Sequence, residues 1–124
     1  MTRSGSVTTH VLDTARGRPA AGVALELVLL HATGGAGPAD GVVARAVTNA
    51  DGRTDAPLIA AGALEAGVYE LRFAVGAYFA GADGLGDPPF LDVVPVRFGV
   101  ADAGAHVHVP LLVSPWSYST YRGS

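Results

Sequence analysis

The sequence predicts an all-β domain, an antiparallel sandwich or barrel, and three observations carry that expectation. Apolar residues alternate with polar ones along several runs, the period of a half-buried strand. Turn chemistry divides the runs at short intervals. The 124 residues make one domain, large enough to bury a core without cross-links. The many alanines favour helix by intrinsic propensity, but the period of two overrules them.

The elements follow in chain order. Val11 lies between His10 and Leu12, before a turn at Arg16-Gly17-Arg18-Pro19. Val23, Leu25, Leu27 and Leu29 take every second place. His31–Gly41 is rich in glycine and alanine and reads as a flexible loop. Asn49-Ala50-Asp51-Gly52 is a turn. After Ala66-Gly67, Tyr69, Leu71, Phe73 and Val75 alternate with polar Glu70 and Arg72. Gly76–Gly86 breaks the alternation and has room for one short helix before Asp87-Pro88-Pro89. Val94, Val96, Phe98 and Val100 alternate again, with Pro95 and Arg97 between them. Pro95 cannot donate to a ladder, so its strand should be an edge or carry a bulge. Past Ala103-Gly104, the last long run is Val107, Val109, Leu111 and Val113. Residues 1–124 read as a single domain, with 1–6 a flexible N-terminal extension.

Composition excludes several classes of function. There is no cysteine, hence no disulfide framework, thiol nucleophile or cysteine zinc site. The formal net charge is -3, and all 8 basic residues are scattered arginines, so no footprint for nucleic acid or an anionic membrane appears. No apolar run has the length of a membrane helix, and the N-terminus lacks a signal peptide's apolar stretch. A soluble, cytoplasmic protein is expected.

The run from His106 to Val113 has two faces. Val107, Val109, Leu111 and Val113 form one; His106, His108, Pro110 and Leu112 form the other. A sandwich sheet normally turns only one face inward. Apolar residues on the second face, with Leu12 on the first strand, suggest that another subunit covers it and that the histidines line an interface.

Three signals bear on chemistry. His106 and His108 share a strand face and could chelate a metal, but two ligands are too few for zinc. A polar pair on an exposed face is the plainer reading. Arg53 follows the Asp-Gly turn, where a solvated charge is usual. The stretch from Tyr118 to Ser124 reads, from composition alone, as a fraying end. No G-x-S-x-G elbow is present, and Gly84-Leu85-Gly86 runs into Asp87-Pro88-Pro89, which cannot open a helix over a phosphate. Trp116 and Tyr118 read as packing groups.

Longer segments carry a resemblance. Thr8-Thr9-His10-Val11-Leu12-Asp13-Thr14 with Gly17-Arg18-Pro19-Ala20, and Thr48-Asn49-Ala50-Asp51-Gly52-Arg53, are similar to the opening half of the 5-hydroxyisourate hydrolases, the transthyretin-related enzymes. Gly67-Val68-Tyr69 and Gly76-Ala77-Tyr78-Phe79 fit the middle of that family. Ala105 to Leu112 and Ser114 to Ser124, closing on Tyr-Arg-Gly-Ser, fit its end. The match runs from about Val7 to Ser124. Transthyretin proper shares Val-Leu-Asp and the Ser-Pro-x-Ser-Tyr-Ser-Thr run but lacks the catalytic histidines and this tail. His31–Gly41 and Ala80–Pro89 follow no family pattern, and Val107 stands where an aromatic is common.

The resemblance implies a transthyretin-like (prealbumin-like) β-sandwich of two four-stranded sheets with one short helix. It implies a homotetramer with sites at the dimer–dimer interface, a small-molecule substrate, and no metal or cofactor. The implied reaction is hydrolysis of 5-hydroxyisourate in urate degradation. Carried over residue by residue, the catalytic set is His10, Arg53, His108 and Ser124, with His10, Arg53 and Tyr121 binding substrate. A transthyretin-like carrier of small ligands, without catalysis, is the alternative.

Overall fold

The structure, a computed structural model, describes residues 5–33 and 41–124. The core of the expected His31–Gly41 loop thus lies outside the described residues. Of the expected N-terminal extension, Ser6 already opens a strand, and residues 1–4 lie outside the described residues.

Eight strands and one helix follow in order: β1 (Ser6–Asp13), β2 (Arg18–Pro19), β3 (Ala24–Ala32), β4 (Gly41–Val47), β5 (Gly67–Ala74), α1 (Val75–Tyr78), β6 (Val93–Val100), β7 (His106–Val113) and β8 (Tyr118–Thr120). They form two four-stranded sheets, ordered β2-β1-β7-β8 and β4-β3-β5-β6. The alternation read from the sequence is what closes the sandwich. Val7, Val11, Leu111 and Val113 from the first sheet and Leu27, Leu71, Phe73 and Val94 from the second are at most 1% exposed and pack as one cluster.

Pro95 lies on β6, an edge strand, where a missing donor costs no ladder bond on the outer side. The helix is one turn long and begins at Val75, a residue earlier than expected and at the end of the strand pattern. Two features depart from the sequence reading. First, β1 and β7 pair in parallel, Ser6 with His106 through Asp13 with Val113. Hairpin logic predicts antiparallel neighbours, but these strands come from opposite ends of the chain and no tight turn joins them. Second, Trp116 and Tyr118 are exposed rather than packed, at 56% and 43%. The alternation stops at Val113, and the turn from Ser114 to Ser117 carries both past the core.

A buried carboxylate fixes the end of β1. Asp13 is 1% exposed and accepts hydrogen bonds from the Tyr78 hydroxyl (2.7 Å) and the Arg16 amide (3.0 Å), tying α1 to the first turn. Burial and the Asp13 carboxylate together push the Tyr78 hydroxyl above its usual pKa.

Candidate active site

The outer face of the first sheet carries His10 and His108, two of the residues expected at the site. Period two places Ser6, Thr8, His10 and Leu12 of β1 on one face, and the parallel register sets His106 and His108 of β7 directly beside Ser6 and Thr8. His10 lies opposite Pro110, diagonal to His108. Of the apolar residues on this face, Pro110 is already buried within one protomer, while Leu12 and Leu112 are half-buried. The Thr120 hydroxyl donates to the Pro110 carbonyl (2.7 Å), which lays the tail along this part of the face.

Arg53 comes from a turn built to deliver it. The Asn49 side-chain oxygen accepts from the amides of Asp51 (2.9 Å) and Arg53 (3.2 Å). Gly52 has φ +74, and a Cβ there would collide with the Val11 carbonyl oxygen. Its own carbonyl accepts from the Val11 amide (2.8 Å), so the turn is laced onto β1 and His10 bridges Arg53. The Asp-Gly pair thus brings Arg53 beside the histidine strand, where it stays exposed within one protomer, as expected of a solvated charge.

The tail approaches from the other side. The Gly123 amide donates to the His108 carbonyl (2.8 Å). A Cβ on Gly123 would lie 2.5 Å from His108 Cδ2, so only glycine lets the tail lie against the imidazole. The chain past β8 is pinned, not frayed.

Arg53, His108 and Ser124 line one cavity of about 340 Å³, together with Thr8, His106 and the strip from Thr54 to Pro57. That volume suits a small flat heterocycle. His10 does not line this cavity; it is half-buried, bridges Arg53, and lies close enough to raise the cost of charging His108. Tyr121 is not on this cavity. It borders a separate one of about 350 Å³ between β6, β7 and the tail, where His108 is the wall shared by both. The sequence reading missed Ser6 and Thr8, whose hydroxyls reach the ring nitrogens of His106 (2.6 Å) and His108 (2.7 Å). Their place two and four residues before His10 was the available signal.

Both site histidines are held below the ordinary histidine pKa of 6.5. For His10 burial is the main cause and the Arg53 guanidinium the next, partly opposed by the backbone of Asp51. For His108 the order is burial, Arg53, then His10 and His106. A neutral imidazole beside a fixed cation suits abstraction of a proton next to an electron-rich oxygen. Asp55 also lines the cavity, but its carboxylate accepts from the Asn49 side-chain amide (3.0 Å), and no ion pair joins Arg53 to a carboxylate among the described residues. No group of three His, Asp or Glu close enough to hold a metal occurs among the described residues.

Comparison with known proteins supplies the context. The model described as HIUase/Transthyretin family matches residues 7–123. A protein of Deinococcus radiodurans named 5-hydroxyisourate hydrolase is 58% identical, with 95% of each chain covered. Among solved structures, Klebsiella pneumoniae 5-hydroxyisourate hydrolase has a TM-score of 0.74 at 35% identity, covering 96% of this chain and 99% of that one. Transthyretin from Sparus aurata has a TM-score of 0.79 at 30% identity, with coverage of 95% and 96%. (S)-allantoin synthase has a TM-score of 0.88 at 44% identity; 99% of this chain matches, but only 45% of that longer chain. The fold alone does not separate hydrolase from transthyretin, so the side chains of the site must.

Proposed function

The chain belongs to the HIUase/Transthyretin family, and from that premise we propose that it is an enzyme that hydrolyses 5-hydroxyisourate in purine degradation. The high identity to proteins carrying that name supports the activity. The observation that carries the assignment of the site is the convergence of Arg53, His108 and Ser124 on one cavity, with His10 bridging Arg53.

In this reading His108 is the base. It faces the cavity, and burial and Arg53 keep it neutral near pH 7. It takes a proton from water, which attacks a ring carbonyl. Arg53 donates to the carbonyl oxygen and stabilises the oxyanion as it forms. The ring C–N bond then breaks, the nitrogen regains a proton, and the six-membered ring opens to a carboxylate, 2-oxo-4-hydroxy-4-carboxy-5-ureidoimidazoline. His10 helps Arg53 hold the substrate and keeps His108 neutral. Ser124 closes the cavity, and Gly123 lets the tail lie against the His108 ring.

Tyr121 has no place on that cavity within one protomer. It is 59% exposed and stands with exposed Tyr118 near the end of the chain. We assign it to an interface of a cytoplasmic homotetramer, where a neighbouring copy brings it, or its equivalent, to the substrate.

The test is direct. 5-Hydroxyisourate is generated with uricase and its ultraviolet absorbance followed with and without the protein, in the presence of chelator. Faster decay that survives chelation is the expected result. Decay at the uncatalysed rate would leave a carrier of small ligands, and loss on chelation would point to a metal.

A further inference from the structure

Thr8 occupies a position that the reaction above leaves unused. Its hydroxyl oxygen lies 2.7 Å from His108 Nδ1 and 3.4 Å from His106 Nε2. The Ser6 hydroxyl lies 2.6 Å from His106 Nδ1. The two imidazoles are nearly parallel, 13° apart, with centroids 6.5 Å from each other. Four side chains on two parallel strands thus form one hydrogen-bonded row, Ser6–His106–Thr8–His108. It runs from an exposed imidazole to a half-buried one on the cavity.

We propose that Thr8 is a positioning residue: its hydroxyl couples His108 to His106 and sets which ring nitrogen of His108 carries the proton. The proposal deepens the hydrolase reading and rests on it for its kinetic consequence. A hydroxyl both accepts and donates, so the row has two self-consistent polarities. In the first, His108 Nδ1–H donates to Thr8, Thr8 O–H donates to His106 Nε2, and His106 Nδ1–H donates to Ser6. The Nε2 lone pair of His108 is then free to act as base. In the second, every hydrogen bond is reversed and His108 Nε2 bears a proton, the form that acts as acid.

The chemistry needs both in turn. His108 Nε2 takes a proton from the attacking water, its Nδ1 proton passes to the Thr8 oxygen, and the Thr8 proton passes to His106 Nε2. The positive charge then sits on His106, two residues along β7, instead of on His108, which feels the Arg53 cation. His108 is neutral with its proton on Nε2, ready for the nitrogen released as the C–N bond breaks. The return shift restores the starting row, so no proton is gained or lost beyond the water consumed.

Thr8→Val keeps the branched shape in the strand and removes the hydroxyl; Thr8→Ser keeps the hydroxyl. Ring nitrogen shifts of His108, read by long-range proton–nitrogen correlation on the labelled folded protein, report the tautomer directly. The wild type should show one dominant form with the proton on Nδ1. Thr8→Val should give a mixture and lower kcat at least about tenfold, a fraction of full acid–base help, with KM within about twofold. Thr8→Ser should restore both. Unchanged shifts and kcat in Thr8→Val would overturn the proposal, as would a loss that Thr8→Ser does not repair, which would make Thr8 a packing residue. If the wild type fails to turn over 5-hydroxyisourate, the functional reading fails instead, and the nitrogen shifts still decide the tautomer claim.

Discussion

The two sheets turn opposite kinds of outer face to their surroundings. On the β4-β3-β5-β6 sheet, the cross-strand register sets Glu26 against Arg45 and Arg72, and Glu70 against Arg97, while Glu70 also takes Arg72 two residues along its own strand. The result is a row of alternating charge, Arg45–Glu26–Arg72–Glu70–Arg97, in which both carboxylates have two cationic partners. Glu70, only 8% exposed, accepts from Arg72 (2.7 Å) and Arg97 (3.2 Å), and Arg72 is the leading cause that holds its carboxyl below the usual 4.5. On the β2-β1-β7-β8 sheet, Arg53 faces imidazoles and hydroxyls, and no carboxylate forms an ion pair with it among the described residues. The same pleated scaffold thus supports one face whose charges are paired and one whose cation is kept available. Paired charge stabilises the fold; available charge lowers histidine pKa values and can act on a substrate.

That contrast is open to three attacks. The largest effect is expected from His108→Ala and Arg53→Ala, each lowering kcat/KM by about a hundredfold or more, the usual scale for losing a base or an oxyanion donor. Circular dichroism and assembly state should stay as in the wild type. Full turnover in both variants would move the site to another part of the molecule.

A smaller effect concerns pH. Both site histidines have folded-state pKa values below 6.5. The basic form therefore persists to lower pH than for a free imidazole, and the acid limb of kcat/KM should inflect below 6.5. The linked stability has the matching sign: this contribution is complete above 6.5 and fades as pH falls through the lowered values. An inflection above 6.5 would contradict the influence of Arg53 on its neighbours.

The smallest effect on activity should come from the other sheet. Glu70→Gln should leave kcat/KM within about twofold while destabilising the fold by about 1.5–3 kcal/mol at pH 7, the range for hydrogen bonds to charged groups. Because the Glu70 pKa is depressed, its stabilisation is present above 4.5 and lost as pH falls through the folded value. Denaturant melts of variant and wild type should converge in acid. A large kinetic defect in Glu70→Gln would mean that the two faces are coupled.

Much of the fold was legible because burial on one face leaves a period of two. The runs at 23–29, 69–75, 94–100 and 107–113 correspond to β3, β5, β6 and β7, displaced by up to three residues at their ends. Strand β4 left a weak trace, since its residues alternate only between half-buried and exposed. The parallel pairing of β1 with β7 left none, because register between distant strands is set by packing and not by a local turn. His10, Arg53 and His108 were legible as a set only through their order along a family-like sequence; singly, each has an ordinary explanation. Thr8 was hidden for a physical reason. A threonine in a strand is expected on propensity alone, and its role appears only when the register puts His108 beside it. Gly123 is legible as part of the tail, but the imidazole it lies against belongs to another strand.

The pairing of β1 with β7 has a consequence for how the molecule comes into being. Thr8 and His108 are separated by 100 residues along the chain, so the row they share closes one of the longest loops the polypeptide can form. Long-range contacts of this kind are slow to reach. During synthesis His10 emerges early and waits for nearly the whole chain before β7 can dock beside it. Recovery of turnover after dilution from denaturant should therefore lag behind the burial of Tyr69 and Phe73, whose strand pairs with nearer neighbours.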